Sequence, residues 1–370
     1  ANVYLKMDLN LVTGSFKERG ARNALMNLTD EEKKHGVISA SAGNHALAMA
    51  YHGRDLGIPV TVVMPKIAPL TKINRCRTYG ADVILHGEHI GEAREYAYAK
   101  HPTLKYINGY NDVEIVAGAG TMGIEILEQV PDVDVVICPV GGGGLIAGLS
   151  LAMKTLKPSC QIISAEPVNC ASYQKALEYG EPTDAFLAPT LADGLAVPII
   201  GDISFSIAKH FVDDTCVVNE MQIAKGILRL LEDEKIVAEG GGGTGVATII
   251  PDGPLYGKFK GKTIVIPLCG GNIDTTVMSR VIDRGLAADK RIVKFSVTVP
   301  DRPGGLALLT KHIADIGVSV KDLYHERAWA GSLDKVVVKC VVETNGKQHA
   351  DQLFQELQQY YDIEEERIHF

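Results

Sequence analysis

Basic runs are missing from this chain. It has 37 Lys and Arg residues against 45 Asp and Glu, no basic cluster of five or more, and a formal net charge of −8. That excludes a broad electrostatic footprint for nucleic acid and leaves small molecules as the expected partners. Paired cysteines are missing too. Cys76, Cys138, Cys160, Cys170, Cys216, Cys269 and Cys340 stand singly, with no CxxC pair and no metal-like spacing, which predicts free thiols in a reducing, cytoplasmic compartment. No membrane span is expected. The longest uncharged run, Val135 to Met153, contains Pro139 and four consecutive glycines, so it reads as strand, turn and helix. No secretory signal opens the chain. It begins abruptly in NVYLKMDL, already strand-like, and an upstream segment is expected to be missing, which leaves an organellar transit peptide open.

What is present is an ordinary globular composition: 370 residues, 46% hydrophobic and 22% charged, enough for a large core and two or three domains. From Val37 to about Leu268, β-branched runs (GVISA, PVTVVM, ADVILH, LKYING, DVVICPV, CQIISAE, FVDDTCVV, KTIVIPLC) alternate with helical patterns such as NHALAMAYHGRDLG and EMQIAKGILRLLEDE. That order predicts an α/β fold with mostly parallel sheets, whose ligands bind at the carboxyl ends of the strands. After Ala288 the pattern changes to strand RIVKFSVTV, helix LALLTKHIADIG, strands SVKDLYHERA and DKVVVKCVVET, helix GKQHADQLFQELQQ and a short strand ending EERIHF. This is the βαββαβ order of a ferredoxin-like unit.

Four short elements at strand ends or helix starts carry the chemistry: GSFKERGA, SASAGNHA, PVGGGGLIAG and PLCGGNID. Gly141 to Gly144 follow an apolar strand and precede an apolar helix, so their backbone N–H groups can form an anion nest. The run lacks the Lys and Ser/Thr of GxxxxGK[ST] and has no acidic ribose partner, which favours an isolated phosphate monoester over a nucleotide. A phosphate cradle with a separate lysine points to pyridoxal phosphate, whose aldehyde forms a Schiff base with an amine.

In this order, SFKERGA, SAGNHA, GGGGL and CGGN resemble the β-family, fold type II, of pyridoxal phosphate enzymes, most closely its threonine/serine dehydratase and serine racemase branch, over roughly residues 2–285. The resemblance implies two open twisted, mostly parallel sheets in a catalytic region of residues 1–288, with a smaller subdomain of roughly 37–125 inserted. It implies that Lys17 carries the cofactor, Phe16 lines the ring face, and Asn44 binds the phenolic oxygen. Gly141, Gly142, Gly143, Gly144 and Leu145 would hold the phosphate, Cys269 would face the ring nitrogen, and Glu239 would lie near the ring. The substrate carboxylate would sit on Ser41, Ala42, Gly43, Asn44 and His45. Glu166, the Cys170 carbonyl and Ser172 match a cation site, with Ser172 where racemases have an aspartate, so a monovalent or weakly held divalent ion is expected. Residues 289–370 resemble an ACT regulatory domain. Its helix-opening Gly304 and Gly305 would receive an amino-acid effector, typically in a homodimer or homotetramer.

The resemblance implies a threonine dehydratase that also takes serine. Racemases of the branch place a serine at the position of Ala42, whose methyl donates no proton, so elimination is favoured. The alternatives are a racemase or another hydroxy-amino-acid lyase of the same fold, and a non-catalytic amino-acid sensor. Plainer readings stand beside several residues: His45 as a cap or core filler, Cys269 as inert core, and Gly304–Gly305 as a structural turn; Tyr110 reads as lining the substrate pocket or stacking on the core, and Asp193 equally as a helix cap or a pocket residue.

Overall fold

A computed structural model describes residues 1–327 and 333–366. The chain divides into two units, Ala1–Asp274 and Thr275–Phe370.

The first unit runs β1 (Asn2–Lys6), α1 (Lys17–Met26), α2 (Asp30–His35), β2 (Val37–Ala40), α3 (Asn44–Leu56), β3 (Val60–Met64), α4 (Leu70–Thr78), β4 (Asp82–Leu85), α5 (Ile90–Lys100) and β5 (Lys105–Tyr106). It continues with α6 (Val113–Gln129), β6 (Val135–Pro139), α7 (Gly144–Leu156), β7 (Gln161–Pro167), α8 (Ser172–Tyr179), α9 (Asp202–Phe211), β8 (Asp214–Val218), α10 (Glu220–Glu232), α11 (Gly240–Ala247) and β9 (Thr263–Pro267). Two parallel sheets result, ordered β1-β9-β6-β7-β8 and β4-β3-β2-β5.

Strand alternation explains why both faces are covered. On β6, Val136 and Cys138 join one core cluster with Leu145, Ile146 and Leu149 of α7, whereas Val135 and Ile137 join another with Ile264 and Ile266. A strand apolar on both faces belongs in a helix-covered parallel sheet. The smaller sheet repeats the pattern, with Val60, Val62 and Met64 on one side and Ile38 and Val63 on the other.

Glycines let the helices beside the site approach closely. A Cβ at Gly118 of α6 would fall 2.4 Å from the Arg19 carbonyl of α1, and one at Gly148 of α7 would fall 2.1 Å from the Val116 carbonyl of α6. The AGAG stretch of α6 is therefore a crossing surface that brings the starts of α1 and α7 to the same region.

The second unit comprises α12 (Thr275–Ala288), β10 (Ile292–Pro300), α13 (Gly305–Asp315), β11 (Ser319–Glu326), β12 (Lys335–Glu343), α14 (Lys347–Leu357) and β13 (Ile363–Glu366). Its antiparallel sheet is ordered β11-β12-β10-β13. Alternate residues Val336, Val338, Cys340 and Val342 of β12 pack with Phe295, Leu309, Ile313 and Leu353. The helix α12, which the composition grouped with the region before residue 288, packs against β10. The expected end of the terminal strand, residues 367–370, lies outside the described residues, as does Ala328 at the expected end of the preceding SVKDLYHERA strand. Among the described residues no helix is long and apolar enough to cross a membrane.

Candidate active site

Lys17 opens α1 from a tight loop. Phe16 N–H donates to the Cys269 carbonyl at 2.8 Å and Ser15 bridges Gly270, so the lysine loop is stitched to the CGGN loop. Lys17 Nζ donates to the Gly109 carbonyl at 2.5 Å and lies 5.1 Å from the Phe16 ring centroid. Burial drives the ammonium pKa down to about 8, against the pull of Cys269 and Glu239. A buried amine with lowered basicity is primed as a nucleophile and as a base.

Asn44 starts α3. Its Nδ2 donates to Glu239 Oε1 at 2.6 Å, and its Oδ1 accepts from Asn272 Nδ2 at 2.9 Å. Glu239 precedes α11 and is held by its own N–H on the Gly270 carbonyl. Burial and then the charge of Asp193 raise the Glu239 pKa to about 7. A Cβ at Gly270 would fall 2.1 Å from Glu239 Oε1, so the backbone there lies directly beside the carboxylate.

Two helix N-termini face this region without a side-chain cap. The cap of α3 is Gly43, with open space where a Cβ would stand, and the cap of α7 is Gly143 at φ +90°. The first N–H groups of each helix have no intrahelical acceptor, so both ends suit an anion. The Tyr110 ring packs over Gly142, where a Cβ would fall 2.2 Å from it, and Leu195 abuts Gly141. Ser204 Oγ donates to the Tyr110 carbonyl at 2.7 Å. Leu145 follows on the first turn of α7, buried. Asp193 accepts from Gly194 N–H at 2.8 Å and, through the Glu239 shift, belongs to the site's electrostatics.

Ser41 Oγ accepts from Gly43 N–H at 3.2 Å, while Ala42 is half-buried against the small-sheet core. His45 Nε2 lies 3.3 Å from the Ile107 carbonyl. A carbonyl only accepts, so Nε2 carries the proton. Burial and then the charge of Lys17 lower the His45 pKa to about 3, keeping the ring neutral. Its Nδ1 and Ser15 Oγ are buried without a hydrogen-bond partner among the described residues. The Cys269 thiol donates to the Pro267 carbonyl at 3.4 Å, and burial holds its pKa well above the usual thiol value. The thiol is therefore neutral. Together, the desolvated lysine, the uncapped α7 end and these unpaired polar atoms fit pyridoxal phosphate.

Glu166, at the end of β7, accepts from Tyr173 N–H at 2.8 Å and Gln174 N–H at 2.9 Å. It thus caps α8 from a distance, and burial raises its pKa to about 7. Ser172 Oγ reaches the Gly141 carbonyl at 3.4 Å, and Cys170 is buried nearby in the chain. Among the described residues no three His, Cys, Asp or Glu side chains form a metal cluster. In the second unit, Gly304 adopts φ +92° as the cap of α13, and a Cβ at Gly305 would fall 2.3 Å from the Pro300 carbonyl.

Sequence reasoning missed Asn272, although it quoted CGGN. Its Nδ2 also donates to the Thr13 carbonyl at 2.6 Å, so one amide ties together the TGSFK, SAGNHA and CGGN loops. The signal was the conjunction of the three loops. Also missed was a concavity of ≈ 670 Å³ along α1, lined by Lys6, Asp8, Arg19 and Glu125 among others, with Lys17 absent from its wall. Arg19 and Lys6 are paired there with Asp8 and Glu125.

A family model described as "Pyridoxal-phosphate dependent enzyme" matches residues 1–270. An L-threonine ammonia-lyase of Thermotoga maritima is 42% identical over 95% of this chain and 87% of its own length. Another, of Geobacter sulfurreducens, is 37% identical over 96% and 89%. Among solved structures, the processed form of threonine deaminase isoform 2 from Solanum lycopersicum superposes with a TM-score of 0.73 at 35% identity, covering 77% of this chain and 83% of that one. Serine racemase from Dictyostelium discoideum superposes with a TM-score of 0.67 at 33% identity, covering 74% and 88%.

Proposed function

The chain belongs to the pyridoxal-phosphate dependent enzyme family, and from that premise we propose that it is an L-threonine ammonia-lyase, eliminating the β-hydroxyl to give 2-oxobutanoate and ammonia and converting L-serine to pyruvate in the same way. Relatives named for that activity are 37% and 42% identical over most of the chain. The observation that carries the site assignment is Lys17: a partly buried lysine whose amine pKa is lowered to about 8 by desolvation, near two glycine-capped helix ends.

Pyridoxal phosphate bound through Lys17 supplies the electron sink that acidifies the substrate Cα proton. The α7 end, Gly141 to Leu145, would hold the phosphate by backbone N–H groups, and the α3 end, Ser41 to His45, would hold the substrate carboxylate. Lys17 Nζ would be the base placed to take the substrate Cα proton. Asn44, Glu239 and Phe16 orient the ring. The neutral Cys269 thiol would offer the ring nitrogen no carboxylate partner, so the ring would be a weaker electron sink than one held protonated. Ala42 offers no proton from the opposite side. That separates this site from a racemase.

The finer assignments rest on the resemblance. The βαββαβ unit is an ACT domain whose Gly304–Gly305 turn receives an amino-acid effector, in a cytoplasmic homodimer or homotetramer. Glu166, Cys170 and Ser172 hold a weakly bound cation.

The test is the purified protein with pyridoxal phosphate and L-threonine. The expected result is 2-oxobutanoate formation that Lys17→Ala reduces by at least about 10³-fold. No keto acid from the wild type, or D-amino acid as the main product, overturns the assignment.

A further inference from the structure

A side chain outside the lysine, asparagine and glycine motifs touches the amide that joins them. Arg75, exposed on α4, donates from Nη1 to Asn272 Oδ1 at 2.9 Å. Its Nη2 lies 3.4 Å from the Tyr79 hydroxyl, and its guanidinium packs 5.9 Å from the Tyr79 ring centroid, which holds the head in place. A guanidinium carries only donors, so the Asn272 atom it meets is the carbonyl oxygen. The Asn272 nitrogen is therefore turned inward, where it donates to Thr13 O at 2.6 Å and Asn44 Oδ1 at 2.9 Å. Because an N–H cannot donate to another N–H, Asn44 keeps its oxygen toward Asn272 and its nitrogen toward Glu239, 2.6 Å away.

The Thr13 carbonyl and the Glu239 carboxylate, which only accept, set the polarity of the two successive amides, and the Arg75 cation reinforces it from the Asn272 end, since each bond in such a chain strengthens the next. The slot is shaped for it. Gly14 adopts φ +79°, and a Cβ there would fall 2.6 Å from Asn272 Oδ1. The chain also crosses between the lobes, since Arg75 and Asn44 flank strands of the four-stranded sheet while Asn272 follows β9 of the five-stranded one.

We propose that Arg75 is a positioning residue: acting through Asn272, it reinforces the polarity that Thr13 and Glu239 give the two amides and ties α4 to the CGGN loop, holding Asn44 in place to meet the cofactor ring as a hydrogen-bond donor. The role of Asn44 toward the ring rests on the proposed function; the Arg75 relay goes beyond it.

The test compares wild-type holoenzyme with Arg75→Ala, Arg75→Lys, Asn272→Ser and the Arg75→Ala/Asn272→Ser double variant. It reads the visible absorption of bound pyridoxal phosphate without substrate, then kcat and KM for L-threonine. Arg75→Ala is expected to shift the absorption and raise KM by at least about threefold, with the melting temperature unchanged because Arg75 is exposed. Arg75→Lys, still a donor, is expected to recover both. The double variant is expected to match Asn272→Ser alone, as coupled residues do. A wild-type spectrum and KM in Arg75→Ala, no recovery in Arg75→Lys, or additive effects in the double variant overturns the proposal. Should Asn272→Ser not fold, the two Arg75 variants decide alone. The substrate-free spectrum is independent of the reaction, so an inactive wild type with a shifted Arg75→Ala spectrum overturns the lyase assignment and leaves the relay standing.

Discussion

Lys17 occupies a place that disfavours its own charge, and this makes a prediction at the level of one residue. Its ordinary pKa of 10.5 falls to about 8 through burial. Between those pH values the unfolded chain binds the proton and the folded one does not, so this group's contribution to stability rises with pH across that window. Lys17→Met removes the buried charge. The cofactor-free variant is therefore expected to be more stable than the cofactor-free wild type at pH 7 by up to ~3 kcal/mol, with the gap closing by about pH 10. Urea unfolding at the two pH values checks it. At this scale, SFKERGA pointed to Lys17 and SAGNHA to Asn44, because a side chain that does chemistry needs a short local frame. Sequence allows two readings of His45, and the buried neutral ring on the Ile107 carbonyl favours packing and orientation. Asn272 and Arg75 were silent, since their meaning is a contact across 197 residues.

Elements show how far local pattern reaches. The eight strand runs of the α/β region appear as β2 to β9, and in β2, β3, β6, β7 and β9 both faces are apolar and buried, a pattern with few other solutions. By contrast α11, GGGGTGVA, has a composition that disfavours helix by about 1 kcal/mol per glycine. It forms because its glycines allow backbone contacts that a side chain would block: a Cβ at Gly240 would fall 1.9 Å from the Leu191 carbonyl, and one at Gly242 would fall 2.6 Å from the Gly270 carbonyl. Two predictions belong here. Gly142→Ala drives a methyl into the Tyr110 ring, and pyridoxal phosphate affinity is expected to fall at least about tenfold, read by equilibrium dialysis. Gly148→Ala, at the α6–α7 crossing, is expected to cost about 1–3 kcal/mol in denaturant unfolding, from overpacking against the Val116 carbonyl.

For the whole molecule, the distribution of the site along the chain matters. Every proposed cofactor and substrate residue lies between Phe16 and Asn272, within the first unit, while the second unit carries its own core from Val293 to Leu357. A chain ending at Asp274 is accordingly expected to bind pyridoxal phosphate with the same absorption spectrum as the full chain; a lost or shifted band contradicts that. The sequence alone determines whatever depends on neighbours in the chain: alternation of strand and helix, the βαββαβ order, and the lysine, asparagine and glycine loops. Folding decided the rest. The lowered Lys17 basicity, the raised Glu239 pKa, the neutral His45 and the amide relay through Asn272 arise from desolvation and hydrogen bonds between residues far apart in the chain, and those energies exist only once the loops have been brought together.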